Sequence, residues 1–114
     1  MNYDELEAGP EMDALVAEAM GLTAKTVPDA WCYPNGVWAY HTGDYRPSEI
    51  CDQAIEFATT KSACFVLFSP HTKDEGWLCS AQGYGHVGGT PGKAVTPSLA
   101  ICRSVLKMLA KDKP

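Results

Sequence analysis

The stretch VTPSLAICRSVLKMLAK, Val95 to Lys111, predicts a long amphipathic helix around which the rest of the chain is organised. Thr96 is a residue type favoured at the helix N-cap. Pro97 suits the first helical position, where its missing N–H would have no partner. The apolar residues that follow recur at the three- and four-residue spacing of a buried face. They are Leu99, Cys102, Val105, Leu106 and Leu109.

Three cations lie on another face of this predicted helix. Arg103, Lys107 and Lys111 are four residues apart and run toward the negative end of the helix dipole. We expect Arg103 either to help bind a ligand or to form a surface ion pair.

The totals indicate one domain. The 114 residues suffice for a single modest core, and we expect a loose N-terminal segment, residues 1–10, followed by a single domain, residues 11–114. The acidic N-terminus is the reverse of a secretory signal peptide, and no apolar stretch has membrane-spanning length. We therefore expect a cytoplasmic protein without membrane contact.

The cysteines and the charges exclude further classes. Five cysteines, an odd and scattered set, favour buried, reduced thiols over a disulfide framework. Residues 1–60 hold 11 acids and 2 bases, whereas residues 61–114 hold 3 acids and 7 bases. An overall charge of −5 disfavours non-specific nucleic-acid binding, but the basic half suits a small anion.

Two further helices are predicted. An apolar pattern with helical spacing begins at Glu11 and stops at Gly21. A second one begins at Arg46-Pro47-Ser48 and ends at Thr59-Thr60.

Three strands are predicted between the helices. Val37–His41 follows a Pro-Asn-Gly turn, and Trp31 and Tyr33 before that turn form either a partner strand or an aromatic loop. The apolar run 63–68 indicates a strand covered on both faces, and residues 77–81 form its hairpin partner. Residues 82–92 are predicted to be a glycine-rich loop. The order predicts an α+β fold, a small α/β/α layered sandwich with a mostly antiparallel sheet and three helices.

Three segments resemble the phage ABA-sandwich domain proteins. They are DALVAEAMG at residues 13–21, GWLCSAQG at residues 76–83 and TPSLAICRSVLKML at residues 96–109. The family is similar in its "ALVAE-x-MG" start, its tryptophan-bearing strand and its closing "PLAICRA"-type helix. The resemblance implies an α/β/α sandwich and a phage or prophage origin, and it brings no catalytic residues.

No catalytic or metal motif is found. His41, His71 and His86 lack ligand spacing with each other or with the cysteines, so we expect no metal and no other cofactor. The cysteines fall in apolar patterns, which disfavours a nucleophilic Cys–His pair. Residues 83–88 read G-x-G-x-x-G, but they do not lie between a parallel strand and an immediately following helix.

The glycine-rich loop and the aromatic strand are the candidate binding residues. Glycines allow backbone N–H groups to converge on an anion, a lysine and a helix N-terminus follow the loop, and exposed aromatics stack on bases. The alternatives are a plain connector for the loop, and self-association or core packing for the aromatics. The candidates are Trp38, Tyr40, Tyr84, Gly85, His86, Gly88, Gly89, Thr90, Lys93 and Arg103.

These features suit a ligand with a ring and a phosphate. By analogy with phage anti-defence sponges, we expect a homo-oligomeric, non-enzymatic protein that sequesters a nucleotide-derived immune signal without cleaving it. The alternatives are a protein–protein interaction module that uses the aromatic strand, and a nucleotide hydrolase that uses His86 or His41.

Overall fold

A computed structural model of the chain describes residues 2–26, 29–68, 76–83 and 89–111. The helices are α1 (Pro10–Ala19), α2 (Cys51–Lys61) and α3 (Pro97–Lys111), with short 3₁₀ helices at Tyr3–Glu5 and Thr42–Asp44. The strands are β1 (Thr23–Thr26), β2 (Asp29–Cys32), β3 (Trp38–His41), β4 (Cys64–Phe68), β5 (Trp77–Gln82) and β6 (Thr90–Ala94).

The predicted α+β class, with three helices and antiparallel pairing, is confirmed. The single sheet is wrong: β1-β2-β3 form an N-terminal sheet, and β4-β5-β6 form a separate C-terminal sheet. Strands β1 and β6 are not predicted from the sequence, and the first three residues of β6 fall at the end of the predicted loop, residues 82–92. Pro91 and Gly92 are residue types that disfavour a strand prediction, but an edge strand tolerates both.

Helix α3 begins as predicted. The Leu99 N–H donates to Thr96 Oγ1 at 3.3 Å, so Thr96 is the cap, and Pro97 opens the helix. Burial, however, extends almost around the helix, because β5, β6 and α2 all pack against it. Arg103, on the predicted line of cations, is therefore buried and only 8% exposed.

Arg103 holds the N-terminal segment against the helix. Its Nη2 donates to the Leu6 carbonyl at 2.8 Å, and its Nη1 donates to the Lys93 carbonyl at 2.7 Å. Lys107 Nζ lies 2.8 Å from Asp4 Oδ1. These contacts tie Asp4 and Leu6, in the segment expected to be loose (residues 1–10), to α3. The main-chain carbonyls also satisfy the buried guanidinium.

The second helix begins later than the pattern predicts. Arg46, Pro47 and Ser48 form a turn, and α2 starts at Cys51 and ends at Lys61. The Arg46 N–H donates to Gln53 Oε1 at 2.6 Å, and the Ser48 N–H donates to Asp13 Oδ1 at 2.9 Å. These side-chain acceptors take backbone donors of the turn, which therefore need no helical partner.

Strand β4 is not covered on both faces. Phe65 and Leu67 face the helices, whereas Val66 and Phe68 are each 51% exposed. Helices α2 and α3 pack on the inner face of the C-terminal sheet. Five apolar residues in a row do not reveal that the other face of the strand is open.

The five cysteines are all free thiols, as predicted, but they are not all buried. Cys32, Cys79 and Cys102 are buried, whereas Cys51 is half-buried and Cys64 is exposed on β4. Cys64 shares the open side of β4 with Val66 and Phe68, which explains its exposure.

Strand β6 packs closely against the backbone of α3 at Gly92. A Cβ added at Gly92 would lie 2.3 Å from the Ser104 nitrogen and 2.6 Å from the Ala100 carbonyl oxygen. The Ser104 hydroxyl donates to the Thr90 carbonyl and accepts the Ala81 N–H at 2.9 Å. The helix backbone and one serine therefore fix the two strands.

Gly92→Ala is expected to lower the free energy of unfolding by about 3 kcal/mol, because the backbones of β6 and α3 must separate to admit a methyl group. Chemical denaturation measures this loss. Gly43→Ala is the matched control, since a Cβ there meets nothing within 4 Å. Equal stability of the two variants would contradict the close approach.

Candidate functional site

A cleft of about 550 Å³ lies between the start of α1 and residues 42–49. Such a volume suits a small organic ligand. Its walls are mostly apolar, with a few polar groups at the rim. The lining residues are Gly9, Pro10, Asp13, Ala14, Trp31, Thr42, Gly43, Tyr45, Arg46 and Glu49.

An Asp13–Ser48 hydrogen-bond pair holds the two sides of the cleft together. Asp13 Oδ1 accepts the Ser48 N–H at 2.9 Å and the Ser48 hydroxyl at 2.7 Å. The Ser48 Oγ accepts the Gly9 N–H at 3.0 Å. Because Asp13 and Ser48 are both buried, this contact fixes the start of α1 against the Tyr45–Glu49 segment.

Aromatic side chains form the floor of the cleft. Trp31 is 6% exposed and Tyr45 is 3% exposed, so both are anchored in the core and present only an edge. The Tyr40 ring packs on Tyr45, with centroids 4.8 Å apart. Burial, with a smaller effect of Glu56, raises the pKa of Tyr45, so its phenol stays neutral at physiological pH.

The rim supplies donors for an anion. Arg46 Nη1 lies 3.6 Å from Glu49 Oε2, and both side chains are about half exposed. Such a pair contributes little to stability, so the guanidinium is available to a ligand. At the start of α1, Gly9 is an N-cap without a side chain, and the first turn has no side-chain cap. Of the residues of this turn that line the cleft, Gly9 donates its N–H to Ser48, Pro10 has no N–H, and Asp13 donates its N–H to the Gly9 carbonyl, so Arg46 is the donor that an anion would meet.

The geometry of these groups suits a planar ring over the apolar floor and an anionic group beside Arg46 at the rim. Of the remaining polar lining groups, the Thr42 hydroxyl donates to Asp29 Oδ1 at 2.7 Å, and Asp13 is held by Ser48. The arrangement is therefore suited to binding.

The predicted aromatic pair does not share a surface. Cys32 pairs with Trp38 and Trp31 pairs with Tyr40, so Ala39 is an extra residue in β3. This bulge breaks the alternation on which the expectation rested. Trp38 is 51% exposed and packs edge-on against His41, whereas Tyr40 packs against Tyr45 beside the cleft.

The remaining candidates lie in other parts of the fold. Gly89 and Lys93 are exposed in or beside the C-terminal sheet, and Thr90 is buried in β6. Arg103 is buried and donates to the Leu6 and Lys93 carbonyls. It therefore forms neither a surface ion pair nor an exposed ligand contact. The structure does not bring these residues to Trp38 or Tyr40. Tyr84, Gly85, His86 and Gly88 lie outside the described residues, as does His71.

The sequence analysis missed the cleft residues. Trp31 was seen only as a strand or loop residue, and Arg46 only as part of a helix start. One clue in the sequence is Asp13. This carboxylate follows the buried Met12 and is itself buried in α1. A charged residue on an apolar face needs a partner, and here the partner is Ser48.

Other chemistry finds little support in the described part of the chain. It contains no group of three potential metal ligands. Burial raises the pKa of Cys79 and of Cys102, which keeps both as thiols. A second cleft, of about 480 Å³, is lined mainly by apolar residues of α1 and α3. None of the helices in the described ranges has the length and apolar character of a membrane span.

Comparison with known proteins identifies no relative: no family model, curated protein or solved structure matches the chain. The resemblance to phage ABA-sandwich domain proteins therefore stays a prediction.

Asp13→Asn is expected to flatten the dependence of stability on pH. Burial raises the Asp13 pKa above 3.8, although Ser48 partly opposes the shift. The contribution of Asp13 to the free energy of unfolding is therefore greatest below pH 3.8. It declines as the pH rises through the raised pKa of the folded state. The amide keeps an acceptor for Ser48 without ionising.

Denaturation of wild type and Asp13→Asn between about pH 4 and pH 8 measures this effect. The free energy of unfolding of Asp13→Asn should rise relative to that of wild type as the pH rises. Asp13→Ala is the control and should be less stable at every pH, by about 1–3 kcal/mol, because Ser48 loses its acceptor. Parallel curves for wild type and Asp13→Asn would contradict the assignment.

Proposed function

We propose that this protein binds and sequesters a nucleotide-derived signalling molecule in the cleft between α1 and residues 42–49. The observation that carries the proposal is the combination of an apolar, aromatic floor with the half-exposed Arg46 guanidinium at the rim. In the cell, the protein would act in the bacterial cytosol during phage infection and would form homo-oligomers. The phage setting derives from the sequence resemblance alone.

The ring of the ligand would contact Trp31 and the apolar walls, and its anionic group would displace Glu49 from Arg46. This exchange costs little because the Arg46–Glu49 pair is half exposed and contributes little to stability, whereas a phosphate can bind the guanidinium through two oxygens. Sequestration suits the site better than cleavage does. Asp13, the acid in the wall, accepts two hydrogen bonds from Ser48 on Oδ1, which supports a structural role for this carboxyl group.

The test is a thermal-shift panel of cyclic oligonucleotides and NAD-derived cyclic nucleotides. A ligand that binds only the folded state raises the melting temperature. Arg46→Gln should weaken binding of the stabilising nucleotide by about tenfold or more, because a charged hydrogen bond is lost. Lys111→Gln is the matched control, since Lys111 is an exposed cation at the far end of α3.

Mass spectrometry of the ligand released by heating separates binding from catalysis. An intact nucleotide supports sequestration, whereas an altered product supports the hydrolase alternative. A panel without any stabilising nucleotide, or equal affinity in Arg46→Gln and wild type, would contradict the proposed site.

A protein-interaction function is the second candidate, favoured by the hairpin of β2 and β3. Tyr33, Val37 and Trp38 are 49%, 56% and 51% exposed around its turn. Exposed aromatic residues are enriched at protein interfaces. Trp38→Ser would then abolish partner binding and leave nucleotide binding unchanged, whereas loss of nucleotide binding would place Trp38 in the ligand site.

A further inference from the structure

We propose that β4 is a pairing edge at which two copies of this chain join as an antiparallel, two-fold symmetric dimer. The inference specifies the surface for the expected homo-oligomer and is independent of the ligand cleft. The cleft is built by α1 and by residues on either side of β3, and no residue of the C-terminal sheet lines it.

The edge position of β4 leaves backbone groups to be paired. In the strand order β4-β5-β6, β5 occupies one side of β4, and no strand among the described residues occupies the other. Alternate residues of an edge strand direct N–H and C=O groups away from the sheet. Those groups are a template for another strand.

The two edges of the same sheet differ in their protection. Strand β6 carries Pro91 and Lys93, and both residue types discourage pairing with another chain. Strand β4 reads CFVLF, with no charge, no proline and no irregularity in its pairing with β5. Of the two edges, β4 is therefore the one that accepts a partner strand.

The sequence of β4 fits a copy of itself. In an antiparallel pair centred on Val66, Val66 faces its own copy, Cys64 faces Phe68 and Phe65 faces Leu67. Every cross-strand pair is apolar, and such pairs are the stabilising units of a sheet. No like charges meet, although each chain carries a net charge of −5.

Pairing would also extend an apolar surface. Val66 and Phe68 are each 51% exposed and Leu78 beside them is 37% exposed. A five-residue strand with these side chains supplies less than the roughly 800 Å² per partner of a stable interface. The dimer should therefore be weak and concentration-dependent.

Sedimentation velocity over a concentration series tests this arrangement. Wild type should pass from monomer to dimer as its concentration rises. Val66→Lys places two lysines opposite each other and should weaken dimerisation at least about tenfold. Val95→Lys is the matched control, because Val95 is 81% exposed and lies outside β4. Melting temperatures verify that each variant is folded.

A disulfide reports the register directly. In a Cys64→Ser background, Val66→Cys should form a covalent dimer on oxidation, because opposed residues bring their Cβ atoms within reach of a disulfide. Val95→Cys in the same background should form far less.

Three results would overturn the proposal. They are a wild type that stays monomeric up to its solubility limit, a Val66→Lys variant that dimerises like wild type, and a Val66→Cys variant that cross-links no better than Val95→Cys. A dimer lost in Leu78→Lys but kept in Val66→Lys would indicate face-to-face packing instead. Each of these results leaves the nucleotide panel unaffected, so the two proposals fail separately.

Discussion

At Gly92 the backbone of β6 lies against the backbone of α3 with no side chain between them. This approach brings the Ser104 hydroxyl within reach of both Thr90 and Ala81, and so locks two strands to the helix. It also brings the Lys93 carbonyl to Arg103. A bulkier residue at Gly92 would disturb all three contacts, which makes this glycine the position on which the packing of the C-terminal half depends.

The same helix organises the N-terminal half. Arg103 binds the Leu6 carbonyl and Lys107 binds Asp4, so the chain before α1 follows α3. Gly9 is then bound by Ser48, and Asp13 binds Ser48 in turn. A buried arginine is stable only when its donors are satisfied, and here main-chain carbonyls satisfy them. The cleft between α1 and residues 42–49 lies beside this series of contacts.

Local sequence patterns predicted where the helices lie better than they predicted which residues are buried. Thr96 and Pro97 specify the start of α3, and helical spacing specifies α1, because capping and periodicity are properties of adjacent residues. The pattern could not show that Arg103 is buried, since its partners are the Leu6 and Lys93 carbonyls, remote in sequence from the helix face. It also read the CFVLF run as covered on both faces, although Val66 and Phe68 are open on one.

The candidate site was harder to predict, because its residues are assembled by tertiary contacts. Asp13 and Ser48 are 35 residues apart, and neither of the sequence patterns that contain them indicates their contact. Trp38 and Tyr40 alternate in the sequence, but the bulge at Ala39 gives their rings different neighbours. A single inserted residue in a strand reverses the face of every residue beyond it, and nothing in the sequence WAYH marks that insertion.

The most direct test of the account is an NMR titration of ¹⁵N-labelled protein with the nucleotide that stabilises it most. We expect the largest shift changes on the Trp31 indole N–H and on the amides of Asp13, Gly43 and Arg46, which line the cleft. Changes concentrated instead at Gly89, Thr90 and Lys93, with the Trp31 indole unmoved, would contradict the cleft and return the site to the glycine-rich loop.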